Sequence, residues 1–353
     1  MSAPVIAFFN NKGGVGKTSL VYHLAWMYSE LGVRVVAADF DPQANLSAAF
    51  LDEDRLEEVW GDDNSSQTVF GCVQPITKGM GDIIEAPHLE PINDNLALLI
   101  GDLSLSGFED TLSDAWPKCL DRNEAAFRAI SAFWRILQRA ALHHGADVVL
   151  MDMGPNLGAI NRAALIGADY VVVPLSPDLF SLQGLRNLGP TLRAWREQWS
   201  ERIPKNPSGD LPLPGGTMRP AGYVIQQHSV RLARPVRAYD KWIARIPGTY
   251  RQYVLDQATG VAVLPSNDPD CLAQLKHYRS LMPLAQEAHK PIFLLKPADG
   301  AVGAHMAYVG QAYGDFQALA MTILRHTDVE EPALNAALES PAPRKPEPRG
   351  LFE

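Results

Sequence analysis

Cysteine is scarce in this chain: three in 353 residues, at Cys72, Cys119 and Cys271, far apart and outside any C-x-x-C spacing. That excludes a disulfide framework or a cysteine-built metal centre and points to a reducing compartment. Long apolar runs are missing as well. None approaches the ~20 residues a membrane-spanning helix needs, and no basic leader precedes the first apolar run, so a cytoplasmic protein is expected. Positive charge is not in excess either, with 31 Lys and Arg against 40 Asp and Glu and a net charge of -9. Any contact with nucleic acid therefore has to come from a local patch. Apolar residues are plentiful at 46%, beside 20% charged, which is enough for a large core in one large domain or two modest ones.

Short Val, Ile and Leu runs alternate with helical stretches. "PVIAFFN" at 4–10 is followed by a helix from Lys17 to Leu31, then by "VRVVAAD" at 33–39 and "NLALLI" at 95–100. A helix over 123–144 leads to "ADVVLMD" at 146–152 and "ADYVVVPL" at 168–175, and a helix over 180–199 to the strand "RPAGYVIQQ". Apolar runs without polar alternation belong to strands buried on both faces, and the intervening helices make parallel right-handed crossovers. The expected fold is α/β: a doubly wound, mostly parallel sheet flanked by helices. The Pro- and Gly-rich segment at 203–216 fits a surface loop. Beyond it lie the apolar runs "GVAVLP" at 260–265 and "PIFLL" at 291–295, then a helix from His305 to His326. One domain is expected over 1–328, with a disordered Pro-rich tail over 329–353.

The chemistry concentrates in "NNKGGVGKTS", residues 10–19, between the first strand and the first helix. Glycine there lets backbone amides close on phosphate oxygens, with the positive end of the helix behind them. Gly13, Gly14, Val15, Gly16, Lys17, Thr18 and Ser19 are thus candidate nucleotide-binding residues. Lys17 is expected on the β and γ phosphates and the Thr18 hydroxyl on Mg²⁺. Two further segments end strands in acid. "AADFDPQANLS" carries Asp39 and Asp41, two residues apart and both facing the ligand crevice, and "VVLMDMGPNLG" carries Asp152, suited to holding Mg²⁺ through water. A plain glycine-rich turn and a solvated acidic turn are the bland alternatives.

The loop departs from G-x4-G-K-[ST], with Asn11 in place of the first glycine and an added Lys12. K-G-G-V-G-K-T resembles the deviant phosphate loop of the ParA/MinD superfamily of dimerising ATPases. "ADYVVVPLSPDLFSLQGLRNL" and "LIGDLSLSGFEDTLSDAW" are similar to the ParA branch in particular, so the likeness covers residues 4–327. It implies ATP and Mg²⁺ as cofactors and a homodimer in the ATP state. It also implies that Lys12 crosses to the partner's phosphates, that Asp41 positions the attacking water, and that Asp39 supports the Mg²⁺ region. Lys12, Lys17 and Asp41 are then the catalytic set, and Thr18, Asp39 and Asp152 the metal set. Gln226, at the end of the strand where the family has an adenine-contacting asparagine, and Pro265 are the candidates for the base. The family usually has D-x-P-P after the third acidic strand, whereas Gly154 stands before Pro155 here.

The resemblance implies a DNA-partition or cargo-positioning switch. Such a switch binds DNA of any sequence when loaded with ATP and is released when a ParB-like or other adaptor stimulates hydrolysis, so it is nucleoid-associated and turns over slowly alone. Arg231, Arg234, Arg237, Lys241 and Arg245 form the candidate DNA patch, with a solvated basic face as the alternative. A MinD-like membrane-surface ATPase needs an amphipathic C-terminal helix, which the last residues do not spell, so no membrane contact is expected. A ligase like dethiobiotin synthetase generally lacks the paired-lysine loop.

Overall fold

Residue 6 and residue 7 of the chain are both fully buried, yet they belong to different cores. Val5, Ala7 and Phe9 pack on one side of the sheet and Ile6 and Phe8 on the other. A strand covered on both faces has no polar side to show, which is why its sequence does not alternate. The computed structural model describes residues 3–61, 67–226, 241–258, 260, 262–278, 280–327 and 329.

Eight strands form one sheet: β1 Val5–Phe8, β2 Val35–Asp39, β3 Glu90–Asn93, β4 Leu96–Leu99, β5 Val148–Asp152, β6 Tyr170–Leu175, β7 Arg219–Gln226 and β8 Cys271–Leu275. Their order is β3-β4-β2-β5-β1-β6-β7-β8. Every pairing is parallel except β3 with β4, an antiparallel edge. The sheet is thus doubly wound and mostly parallel, as the apolar runs require.

One face carries α1 (Lys17–Glu30), α2 (Asn45–Phe50), α3 (Glu53–Trp60), α10 (Leu281–Glu287) and α11 (Ala304–His326). The other carries α4 (Val69–Thr77), α5 (Glu109–Lys118), α6 (Glu124–Ile130), α7 (Ala132–His144), α8 (Ala159–Ile166) and α9 (Leu179–Arg202). No helix among the described residues is long and apolar enough to cross a membrane.

One expected helix needs correction, and two apolar runs are not strands. The helix over 123–144 is two helices, broken at Ser131, whose hydroxyl bonds back to the Phe127 carbonyl at 2.7 Å and competes with the helix ladder. "GVAVLP" does not become a strand in its described residues; the eighth strand is Cys271–Leu275. "PIFLL" is a short 3₁₀ turn, Ile292–Leu294, opened by Pro291 and held by a hydrogen bond from the Ile292 amide to His23 Nε2 at 3.2 Å. The expected tail, from residue 330 on, lies outside the described residues.

In a parallel sheet the loops at the C-terminal strand ends share one edge. Register puts Asp39 beside Asp152 and Phe8 beside Asp152. The glycine-rich loop after β1 therefore stands next to the Asp152 end of β5, with the Asp39 end of β2 one strand beyond.

Candidate functional site

The loop after β1 is fixed at its root by Asn10. Its side-chain amide donates to the Pro174 carbonyl at the end of β6, at 2.7 Å, and its Oδ1 accepts the Lys12 amide at 3.0 Å. Gly14 and Gly16 then take φ of 69° and 79°, the left-handed region open to glycine. Gly16 is also the N-cap of α1, whose first turn has no side-chain cap. Those amides are free for an anion, as phosphate binding requires. Val15 is buried beneath the loop, and Thr18 and Ser19 lie in the first turn of α1.

The two lysines have different surroundings. Lys17 is 7% exposed and its Nζ lies 3.2 Å from the Asn10 carbonyl and 3.4 Å from that of Lys12. Burial lowers its pKa, and the charges of Asp152 and Asp41 oppose the fall. Lys12 sits at the rim with its side chain 25% exposed and forms an ion pair with Asp178 of its own chain. Asp178 is also the N-cap of α9, its Oδ1 accepting the Ser181 amide at 2.9 Å.

The three acids differ in the same way. Asp39 is fully buried and committed: Oδ2 accepts the Ser47 amide and hydroxyl, each at 2.8 Å, and Oδ1 accepts the Asp41 amide at 3.2 Å. Asp152 is equally buried, and its carboxylate oxygens make no well-formed hydrogen bond, though the Thr18 side chain stands close enough to lower its pKa. Burial raises the pKa of Asp39, opposed by the hydrogen bonds from Ser47 and helped by the charge of Asp41; burial and then the charge of Asp39 raise that of Asp152, with Asp41 adding to the rise and Thr18 and Lys17 opposing it. Asp41 lies under Gly154: a Cβ at 154 would stand 3.2 Å from its Oδ1. The glycine at that position leaves room for the carboxylate.

A buried carboxylate with two orphaned oxygens fits a divalent cation. Among the described residues no group of three or more His, Cys, Asp or Glu is placed to hold a metal alone. A Mg²⁺ here therefore needs phosphate or water oxygens besides Asp152 and Thr18. Asp39, with its oxygens engaged by Ser47 and Asp41, is better suited to fixing Asp41 and the start of α2 than to ligating metal directly.

Of the base candidates, Gln226 reaches the loop itself, its Nε2 donating to the Gly16 carbonyl at 2.9 Å. Pro265 is a correction: itself buried, it opens a 3₁₀ turn that leads into β8, whereas the crevice lies beyond the other end of that strand, where Leu275 pairs with Gln226. Arg231, Arg234 and Arg237 lie outside the described residues. Lys241 and Arg245 are exposed and lean on one ring, that of Trp242, at 5.5 and 5.3 Å. Asn10, Ser47 and Asp178 escape the sequence reading. Only Asp178 leaves a trace there, as an acidic N-cap three residues before Ser181.

A doubly wound sheet with a glycine-rich loop at the end of its central strand, an acid ending the strand beside it and another ending the strand beyond that, is a P-loop nucleotide-binding protein. The family profile described as an AAA domain matches residues 3–204. The chain belongs to this family and is a ParA/MinD-type ATPase. It is 32% identical to protein IncC of Escherichia coli over 189 residues, which is 54% of this chain and 45% of IncC. It is 29% identical to the chromosome-partitioning ATPase Soj of Thermus thermophilus over 198 residues, 56% of this chain and 65% of Soj. The chain thus spans between about half and two thirds of these curated relatives. In fold it is similar to Cyanothece McdA in an ATP complex, with a TM-score of 0.60 at 14% identity, covering 94% of this chain and 98% of McdA.

Proposed function

We propose that the chain is a partition-type switch ATPase: it binds Mg²⁺ and ATP, dimerises face to face in that state and releases its partner on hydrolysis to ADP and phosphate. The contrast between the two lysines carries this reading. Lys17 is buried within the loop, where it can serve phosphates of its own site, while Lys12 stands at the rim in a partly exposed ion pair with Asp178, from which it can be drawn to a partner's phosphates. A cation delivered across an interface to a phosphoryl-transfer site is worth ~10³ or more in rate in other NTPases. Lys12 in this reading couples dimerisation to turnover, Asp41 positions the attacking water, and Asp152 and Thr18 hold the Mg²⁺. The metal supplies charge neutralisation of the phosphates. Gln226 senses the base or the loop beside it.

The ATP-loaded dimer binds DNA without sequence preference through the basic run that includes Lys241 and Arg245, and a ParB-like or other cargo adaptor triggers release. Its relatives' names, a chromosome-partitioning ATPase among them, support partition as the task, with a cytoplasmic, nucleoid-associated location. Slow basal turnover belongs to the reading, because a switch that hydrolysed freely would lose its bound state before an adaptor arrived.

The test is binding of a fluorescent duplex of arbitrary sequence at moderate salt, with ADP against a slowly hydrolysed ATP analogue. Binding with the analogue alone is expected. Equal binding in both states, or none in either, removes the nucleotide-gated DNA switch.

A further inference from the structure

Glu109, the first residue of α5, lies outside the phosphate loop and the three acidic strand ends, yet it holds the segment that follows Asp152. Its two carboxylate oxygens accept the amides of Ala159 and Ile160, at 2.5 and 2.9 Å. These are the first two residues of α8, whose own N-cap, Gly158, offers no side chain. A carboxylate from another helix thus caps α8, with charge-assisted bonds and a favourable place at the positive helix end. Gly158 is what allows the approach: a Cβ there would lie 2.7 Å from Glu109 Oε1.

The clamp continues toward the acids. One residue further along α8, Asn161 is buried, and its Nδ2 donates to the carbonyl of Gly154 at 2.9 Å and to that of Asn156 at 2.7 Å. Gly154 is the residue that roofs Asp41, and Pro155 approaches Gly13 of the phosphate loop, 3.9 Å from a Cβ built there. The α5 side of the clamp is braced as well, because the Arg162 guanidinium of α8 stacks 4.4 Å above the Trp116 ring of α5. A displacement of α8 would therefore pass through Asn161 to Gly154 and so to the space around Asp41.

We propose that Glu109 is a positioning residue for hydrolysis: by fixing the start of α8 it holds the segment 153–158 against Asp41. This rests on the reading that Asp41 positions the attacking water. A misplacement of about 1 Å at a reacting centre can cost ~10²-fold in rate, so loosening this loop is felt at the chemical step more than in nucleotide binding.

The experiment compares Glu109→Gln with the unmodified chain in single-turnover ATP hydrolysis, in binding of a fluorescent ATP analogue, and in amide hydrogen exchange over 153–161, with Asp41→Ala in parallel. The expected result for Glu109→Gln is faster exchange in that segment and a rate of hydrolysis at least about tenfold lower, with nucleotide affinity within about twofold. Faster exchange with an unchanged rate overturns the proposal. So does a parallel loss of rate and affinity, which marks a merely structural role. If Glu109→Gln does not fold, Glu109→Asp is read in its place by the same split. Unchanged hydrolysis in Asp41→Ala is a separate failure, that of the reading on which the proposal rests.

Discussion

Lys12 and Asp178 form an ion pair within one chain, so the lysine assigned to a partner subunit's phosphates is tied at home to the N-cap of α9. Dimerisation through Lys12 must break this pair in both subunits. With side chains 25% and 21% exposed, the pair is still partly solvated and worth about 0.5–1 kcal/mol, so two of them hold back the dimer by about 1–2 kcal/mol. Asp178→Asn removes the charge but keeps a side chain that caps helices as well. The expected outcome is ATP-dependent dimerisation at about 5- to 30-fold lower protein concentration, measured by sedimentation. A dimerisation constant equal to that of the unmodified chain would show that the pair exerts no restraint.

The orphaned Asp152 carboxylate has a stability cost whose pH dependence can be worked out. Burial and the charge of Asp39 raise its pKa in the folded state above the ordinary carboxylate range. Between the unfolded and folded values the folded chain holds more protons than the unfolded one, so this group's contribution to stability declines as pH rises. Asp152→Asn has no charge to bury. In the absence of nucleotide and metal it should resist urea better than the unmodified chain by about 1 kcal/mol or more at pH 8, with the gap closing toward pH 4. Adding Mg²⁺ and ATP should reverse the order if, as proposed, Asp152 helps to hold the cation. A gap independent of pH would mean that the pKa of Asp152 does not change on folding.

Gly16 faces two separate obstacles to a side chain. Its φ of 79° costs any L residue about 1 kcal/mol or more, and a Cβ there would stand 2.3 Å from Gln226 Oε1. The second obstacle is the far end of a flexible side chain and can yield; the first cannot. Gly16→Ala should therefore lower the stability read from urea unfolding by about 1–2 kcal/mol, and adding Gln226→Ala should return only part of the loss. Full recovery in the double variant would assign the whole cost to crowding.

The central strands, the phosphate loop and the three acids are legible in the sequence because each depends on a local pattern: apolar runs, glycines before a helix, acids at strand ends. What escapes depends on residues distant in sequence. Ser47 holds Asp39 and Asn10 holds Pro174, pairings that no spacing rule announces. The edge strand Glu90–Asn93 is missed because only one of its sides has a partner strand and its residues, with Pro91 among them, are partly exposed. The short helices α2 and α3 follow the acidic segment too closely to show a period, although Asp52, with Glu53 and Asp54 behind it, is a start signal. Pro265 misleads for a topological reason. "GVAVLP" has the composition of a buried strand, and the true eighth strand, Cys271–Leu275, has a weaker apolar pattern.

Lys241 and Arg245 offer the sharpest test of the DNA surface. In a chain of net charge -9, binding to DNA depends on a local concentration of positive charge. Both side chains are exposed and lean on the Trp242 ring, so they share one face and can meet neighbouring phosphates. Arg251, further along the same run, is turned away to Asp268 at 3.5 Å and is not expected to contribute. Each phosphate neutralised adds about 0.9 to the slope of log affinity against log salt. The double change Lys241→Glu and Arg245→Glu should therefore lower that slope by about 1.8 in the presence of the ATP analogue, while ATP turnover without DNA stays as it was. Arg251→Ala should leave the slope where it is. A double variant with the unmodified slope would make this face a solvated surface and move the DNA contact elsewhere on the dimer.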